Sequence, residues 1–482
     1  MAVGSIPPPP GRNTLLEGSP SKAVLRLATP TVIAMLTQSI VNEVDIVFFS
    51  WLPCPESEHA QAALLPSLII LWLFGGSLSA ISVGTQAMTA RRFAEGKQRE
   101  AGAVCFNAWF LAFLAALVFT AVGYILLPAA LELLIKVPEV REAAFDYLKW
   151  RLLGIASMAL TFAFKAFFDG LGRTHVHMIS AIVMNIANVV LCLALIFGKW
   201  GAPRLGIEGA GLAGFISTWI GLAIMVLWAA APSYRKIFKP FAWSQRRREI
   251  GWEILKLSVP GAVATVAVMS GFGLFSAIVS HLDVLSHAKA VSAHCVGQGG
   301  GQAINGAATT IIVGILKLTI TACLAFGTAT ATLVSQSLGE GAPAKAERFG
   351  WVSVRLGLII FGVIGFLEAV VFPEQILGFV TQNPEVLSAA LRPMQLMGLC
   401  TPIMAMGMIL TQALFGAGNT RFVMIVELIL HFTCLVPLAW LLGITFEFGL
   451  IGIWIAAAVY IVLLAIVMAL KFKSGDWKQI HI

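Results

Sequence analysis

Charge is what this chain of 482 residues has least of. Only 12% of its residues are Asp, Glu, Lys or Arg, where about a quarter is usual for a soluble domain. A water-exposed surface cannot be coated with so few. The phosphate-cradling pattern GxxxxGK[ST] is absent, so the chain has no nucleotide-driven motor. HExxH, GxSxG and the regular arginine spacing of a voltage sensor are absent too. No cluster of His, Asp or Arg suggests catalysis, so no catalytic residue is expected and the chain is not read as an enzyme. The seven cysteines (54, 105, 192, 295, 323, 400 and 434) are scattered without a CxxC. That pattern supports neither a disulfide framework nor a metal site. The opening Met1–Pro10, with four consecutive prolines, lacks the order of a cleavable signal peptide, so the first span is expected to act as its own insertion signal.

Apolar sequence is what remains. It makes up 58% of the chain, and the mean hydropathy is +0.88. Apolar runs long enough to cross a ~30 Å hydrocarbon core as helices recur along the whole length. Twelve spans are placed at roughly 28–51, 67–90, 104–134, 149–168, 177–198, 210–231, 254–282, 302–338, 351–372, 392–415, 422–442 and 449–471.

The two halves echo each other. Leu25-Arg26-Leu27-Ala28-Thr29-Pro30 returns as Leu255-Lys256-Leu257-Ser258-Val259-Pro260, at an offset of 230. Phe93-Ala94-Glu95-Gly96 answers Leu338-Gly339-Glu340-Gly341 at 245, and Gly170-x-Gly172-x-Thr174 answers Gly416-x-Gly418-x-Thr420 at 246. Leu205-Gly206-x-x-Gly209 answers Phe448-Gly449-x-x-Gly452 at 243. Four matches in one order describe a tandem duplication, the signature of a secondary transporter. The expected organisation is a cytoplasmic tail (1–24), a first lobe (25–231), a linker (232–253), a second lobe (254–471) and a tail (472–482).

Twenty-two of the 32 basic residues fall on one side of the predicted membrane, with both termini. The positive-inside rule makes that side the cytoplasm. Six spans per half then give repeats of equal hand, two parallel six-helix lobes in an all-α membrane protein. The net charge of +8 follows the topology, so no nucleic-acid partner is expected. The expected partners are a small-molecule substrate and the bilayer of the cell (inner) membrane, with the chain acting as a monomer. The linker either lies on the anionic cytoplasmic surface or simply joins the halves.

Ionisable residues at membrane depth cost at least ~2.5 kcal/mol and usually mark function. In the first span, Gln38, Asn42 and Asp45 share a helix face. A carboxylate with amide neighbours can hold H⁺ or Na⁺; the bland alternative is a hydrated Asp45 at the outer interface. Asn185 and Asn188 share a face of the fifth span, and either complete a cation-coupling site with Asp45 or bridge helices by hydrogen bonds. Lys165 either snorkels to the cytoplasmic end of its span or serves a substrate cavity. In the eleventh span, Glu427 and His431 are four residues apart. They form a proton relay, or Glu427 pairs with Arg421 at the helix end. Gln38, Asn42, Lys165, Glu427 and His431 are the expected lining of the substrate cavity. Glu368 is read as solvated near the outer end of span nine.

The jump in offset from 230 to 245 places a gain of about fifteen residues across span eight, where Gly297–Gly306 reads GQGGGQAING and Lys317 follows. The chain there either breaks into a re-entrant segment lining a cavity, with the break between Gly297 and Gly306, or projects beyond the membrane.

Taken in order, several stretches resemble the multidrug and toxic compound extrusion (MATE) family. They are the Pro30-led first span ending in Val44-Asp45, the Gly84–Gly96 stretch, and Asp169-Gly170-Leu171-Gly172-Arg173-Thr174. Asn185-Ile186, Phe197-Gly198-x-x-Gly201-Ala202-Pro203, Ala293-His294, Leu333-Val334-Ser335-Gln336-x-Leu338-Gly339 and Gly416-Ala417-Gly418-Asn419-Thr420 continue the likeness. The resemblance implies export of amphipathic, often cationic compounds in exchange for H⁺ or Na⁺, with no other cofactor. It also implies a fold of two rocking lobes. The family's second-lobe acids fall here on Val268-Met269-Ser270 and Met404-Ala405-Met406, whereas the first-lobe acid is matched by Asp45, as in the DinF-like branch. Val189 stands where the branch has a further first-lobe partner. A flippase for lipids or lipid-linked precursors, from the same superfamily, is the alternative implied.

Overall fold

Inside hydrocarbon every backbone N–H and C=O must find a partner within the protein, and a chain this apolar meets that demand by forming helices. The computed structural model describes residues 18–54, 56–135, 137–292, 304–381, 383–480 and 482, without the side chains of 40–43, 46, 65 and 287–292. Its first half contains α1 (Pro20–Ser50), α2 (Glu56–Phe74), α3 (Ile81–Ala94), α4 (Gln98–Leu134), α5 (Pro138–Leu153), α6 (Ile155–Gly170), α7 (Thr174–Phe197), α8 (Gly206–Ala230) and α9 (Pro232–Phe238). Its second half contains α10 (Arg248–Ser292), α11 (Ile304–Gly339), α12 (Pro343–Phe366), α13 (Pro373–Val380), α14 (Pro384–Gly416), α15 (Thr420–Ile429), α16 (Val436–Trp440) and α17 (Gly449–Ser474). Proline opens α1, α5, α9, α12, α13 and α14, where a missing N–H has no helical partner to lose.

These helices make twelve crossings. Among the described residues, ten helical runs are long and apolar enough to span a membrane, counting α2 and α3 as one. The pair α5–α6, bent by 43° at Gly154, makes an eleventh, and the 31-residue α1 completes the set. The protein is a twelve-helix, multi-pass membrane protein.

Helix ends locate the duplication more finely than short motifs can. Ala94 at the end of α3 and Gly339 at the end of α11 keep the 245 offset. Ser50, at the end of α1, corresponds at offset 230 to Ser280, yet α10 runs on to Ser292. The gain therefore begins as an extension of α10, ahead of α11. Within the described residues α11 is unbroken from Ile304 to Gly339, and Lys317 is exposed on it. The expected break between Gly297 and Gly306 falls mostly on 293–303, outside the described residues. Asp283, on the α10 extension, accepts hydrogen bonds from the Asn305 and Gly306 backbone N–H groups, at 2.9 and 2.8 Å, and from Asn305 Nδ2 at 2.8 Å. The extension thus carries the cap of the next helix.

Two compact units emerge: residues 1–262 with 332–346 and 482, and residues 263–331 with 347–481. They do not coincide with the halves of the sequence, because the end of α11 belongs to the first unit. Buried hydrogen bonds hold it there. Gln86 Nε2 donates to Thr332 Oγ1 (2.8 Å), and Thr332 Oγ1 to the Asp169 carbonyl (3.0 Å). Ser335 donates to the Ala87 carbonyl (2.7 Å) and Gln336 to that of Gly170 (2.7 Å).

The linker packs against the first unit. Its α9 buries Tyr234 and Phe238 among Phe93, Phe164, Phe167 and Phe168. Trp109 Nε1 donates to the Pro240 carbonyl at 3.0 Å, and Asn107 Nδ2 to that of Gln245 at 2.9 Å. The segment is docked on α4.

Candidate functional site

In the first unit, α1, α5, α7 and α8 bring one acid together with a small set of polar groups. Asp45 lies a turn and a half from the end of α1 and is half-buried. The Tyr147 hydroxyl of α5 donates to Asp45 Oδ2 at 3.4 Å, and the Cys192 thiol of α7 approaches Oδ1 at 3.8 Å. Cys192 also lies 3.9 Å from Asn188 Oδ1, while Asn188 Nδ2 donates to Ser217 Oγ of α8 at 3.3 Å. A single chain of contacts thus runs from Asp45 through Cys192 and Asn188 to Ser217.

Arg151 is the group that sequence reasoning missed, because by position it counts among the charges of an outer connection. It stands one turn beyond Tyr147 on α5, and its guanidinium carbon lies 5.7 Å from the Tyr147 ring centroid. Its charge acts on Asp45 as well, and its Nε is buried without a hydrogen-bond partner. The small residues of α8 make room for it: a Cβ on Gly214 would stand 2.1 Å from Arg151 Nη1, and one on Gly211 would stand 2.4 Å from the Tyr147 carbonyl oxygen. The signal was present as Tyr147 and Arg151 at i, i+4, but a helix face cannot be assigned an interior before its neighbour is known.

The other expected residues divide. Asn185 is buried on α7, and neither of its side-chain polar atoms has a partner. Gln38 is half-buried on α1; the side chain of Asn42 lies outside the described residues. Lys165 is placed against Asp169, with Nζ 2.7 Å from Oδ2, and Asp169 is fully buried. Sequence reasoning gave that aspartate no such role.

The second unit holds its own cluster. Glu427 Oε2 accepts from the Tyr460 hydroxyl at 2.9 Å and lies 3.4 Å from His431 Nδ1. Glu427 and His431 are 7% and 2% exposed. His431 occupies a wide helical turn, Leu430–Leu435, closed by a bond from the Val436 N–H to its own carbonyl. Pro437, which lacks an N–H, follows directly, and such widening is a common companion of function. Glu368 corrects the reading of a solvated acid. It lies in a similar turn, Leu367–Val371, just before Pro373; it is 9% exposed and accepts from Thr319 at 3.0 Å.

A membrane protein of twelve helices, with acids buried in its spans and no enzymatic cluster among the described residues, has the construction of a transporter. A family model described as MatE matches residues 30–194 and 289–441. The chain belongs to the MatE family. The probable multidrug resistance protein NorM of Thermotoga maritima is 26% identical over 472 residues, covering 95% of this chain and 93% of its own length. The multidrug resistance protein PmpM of Pseudomonas aeruginosa is 27% identical over 463 residues, covering 94% and 91%. A solved MOP superfamily transporter from Pyrococcus furiosus matches with a TM-score of 0.84 at 20% identity, over 97% of this chain and 98% of the other. An outward-facing multidrug resistance MATE family transporter gives 0.82 at 20% identity, over 97% and 99%. At that identity the structural likeness is one of fold.

Proposed function

We propose that the protein is a secondary active exporter of amphipathic, cationic small molecules, driven by exchange for protons at Asp45. It would act as a monomer in the cytoplasmic membrane with both termini inside. The observation that carries the proposal is the surroundings of Asp45. A sodium ion is hard and wants several oxygen ligands. Asp45 has instead a tyrosine hydroxyl, a thiol and the charge of a buried guanidinium. A proton needs only the carboxylate. Arg151 disfavours a metal cation beside it and steadies the carboxylate once the proton has left. The relatives' names support drug export, since PmpM is described as a multidrug resistance protein and NorM as a probable one; an amphipathic, cationic substrate is what the family resemblance implies.

Export of a lipid-linked precursor would call for several basic side chains to hold its phosphates. Lys165 is committed to Asp169, so the cation-export reading is favoured.

Proteoliposomes loaded with a fluorescent organic cation, under separately imposed H⁺ and Na⁺ gradients, test the proposal. The H⁺ gradient should drive transport and the Na⁺ gradient should not. Asp45→Asn, which keeps shape and removes the titrating oxygen, should abolish gradient-driven transport while leaving expression and insertion intact. Full transport by that variant would move the coupling site elsewhere.

A further inference from the structure

The duplication relates two places in the fold that the family resemblance does not connect. At offset 246, His431 is the counterpart of Asn185, and at offset 243 Tyr460 is the counterpart of Ser217. In the first half Ser217 belongs to the polar cluster beside Asp45, through Asn188, and Asn185 is buried on the helix that carries Asn188. In the second half they carry an imidazole and a phenol, with Glu427 between them. The two positions where the resemblance predicts second-lobe acids are apolar here. A titratable set has been built instead on α15, its wide turn and α17.

We infer that Glu427, His431 and Tyr460 form a second proton-binding site, which loads and unloads one proton in each transport cycle. The inference rests on the proton-coupled reading of Asp45 but uses different residues. Charge is the physical reason. Without a proton the Glu427–His431 pair carries one negative charge; with one proton it is neutral, and with two it is positive. A buried site strongly favours the neutral state over either charged one. A cation arriving beside the pair can take the place of the proton with no net change in charge, and that is the requirement for exchange.

Among the described residues, Glu427 and His431 form an ion pair only with each other. Tyr460 faces it from α17, and Cys434, on the same wide turn, acts on Tyr460. From α10 comes Gly271, where a Cβ would stand 2.5 Å from His431 Cδ2. Between Arg392 and Gly416, α14 has no acidic, basic or histidine residue. The His431 ring packs on that of Tyr460, with centroids 4.5 Å apart, so phenol and imidazole hold the carboxylate from two sides. His431 Nδ1 also lies 2.9 Å from the Glu427 carbonyl oxygen, which tethers the ring to the turn below.

Two measurements on the full-length protein test the inference. The first is infrared titration of the carboxylic C=O stretch in lipid nanodiscs, which needs no transport and so remains readable if the Asp45 proposal fails. Wild type and Asp45→Asn should share a pH-dependent band that Glu427→Gln deletes, and Tyr460→Phe should move its midpoint. The second is the substrate gradient that a given pH difference sustains in proteoliposomes whose membrane potential is clamped at zero. Wild type should follow the square of the proton ratio, and Glu427→Gln its first power. Absence of a titrating band that depends on Glu427, or an unchanged exponent in Glu427→Gln, would overturn the inference. If Glu427→Gln does not fold, Tyr460→Phe decides, and an unmoved band midpoint would count against it.

Discussion

Gly214 lies directly under the Arg151 side chain: a Cβ there would stand 2.1 Å from Nη1 and 2.9 Å from Cδ. In its position beside Tyr147 and Asp45 the guanidinium fills the space that a side chain at 214 would take. Gly214→Ala should push Arg151 out of its slot, costing on the order of 1–3 kcal/mol. The thermal midpoint of the purified protein should fall, and proton-driven export should fall with it. Wild-type export by a stable Gly214→Ala protein would show that Arg151 has no part in coupling.

Arg151→Met keeps length and apolar packing but removes the charge near Asp45. The carboxylate then has no fixed cation beside it, and a sodium ion can compete for it. Added Na⁺ should inhibit proton-driven export by this variant at concentrations that leave wild type unaffected. Equal sensitivity in the two proteins would dissociate Arg151 from ion choice.

Lys165 and Asp169 make a 2.7 Å pair whose acid is fully buried. Lys165→Met should destabilise by about 3–5 kcal/mol, because it leaves Asp169 buried and uncompensated. The double variant Lys165→Met with Asp169→Asn should recover much of that loss. A thermal-shift series on the three proteins measures both effects, and a single variant as stable as wild type would contradict the pairing.

Asp283 caps α11 through two backbone N–H groups. Asp283→Ala should cost about 1–2 kcal/mol, and Asp283→Asn less, since an amide can still accept. Because the cap lies away from Asp45 and Glu427 in sequence, stability should fall without a change in the exponent of proton coupling. Faster hydrogen exchange confined to the start of α11 would be the local signature.

Topology is tested at Ser244, which is exposed on the linker, whereas Gln245 beside it is buried. In a cysteine-free background, Ser244→Cys should react with a membrane-impermeant maleimide only after the cells are opened. Labelling in intact cells would invert the proposed orientation.

Much of this protein was legible in its sequence. The number of crossings follows from apolar run length and the scarcity of charge, because hydrocarbon leaves a chain few alternatives to the helix; the repeat and the MATE resemblance rest on short motifs in a fixed order. Asp45 could be singled out for the same reason: a carboxylate at membrane depth is costly wherever its neighbours are. What the sequence could not supply was partnership. Arg151 reads as a loop charge until Gly211 and Gly214 open α8 to it, and Lys165 reads as a snorkelling or cavity-lining cation until Asp169 is found beneath it. Glu368 reads as solvated until a wide turn brings it to Thr319. The placement of Thr332–Ala346 in the first unit depends on hydrogen bonds made across 163 to 248 residues of sequence. Periodicity tells which side chains share a face of a helix, but the identity of the facing neighbour is set by packing between helices, and only the tertiary structure decides it.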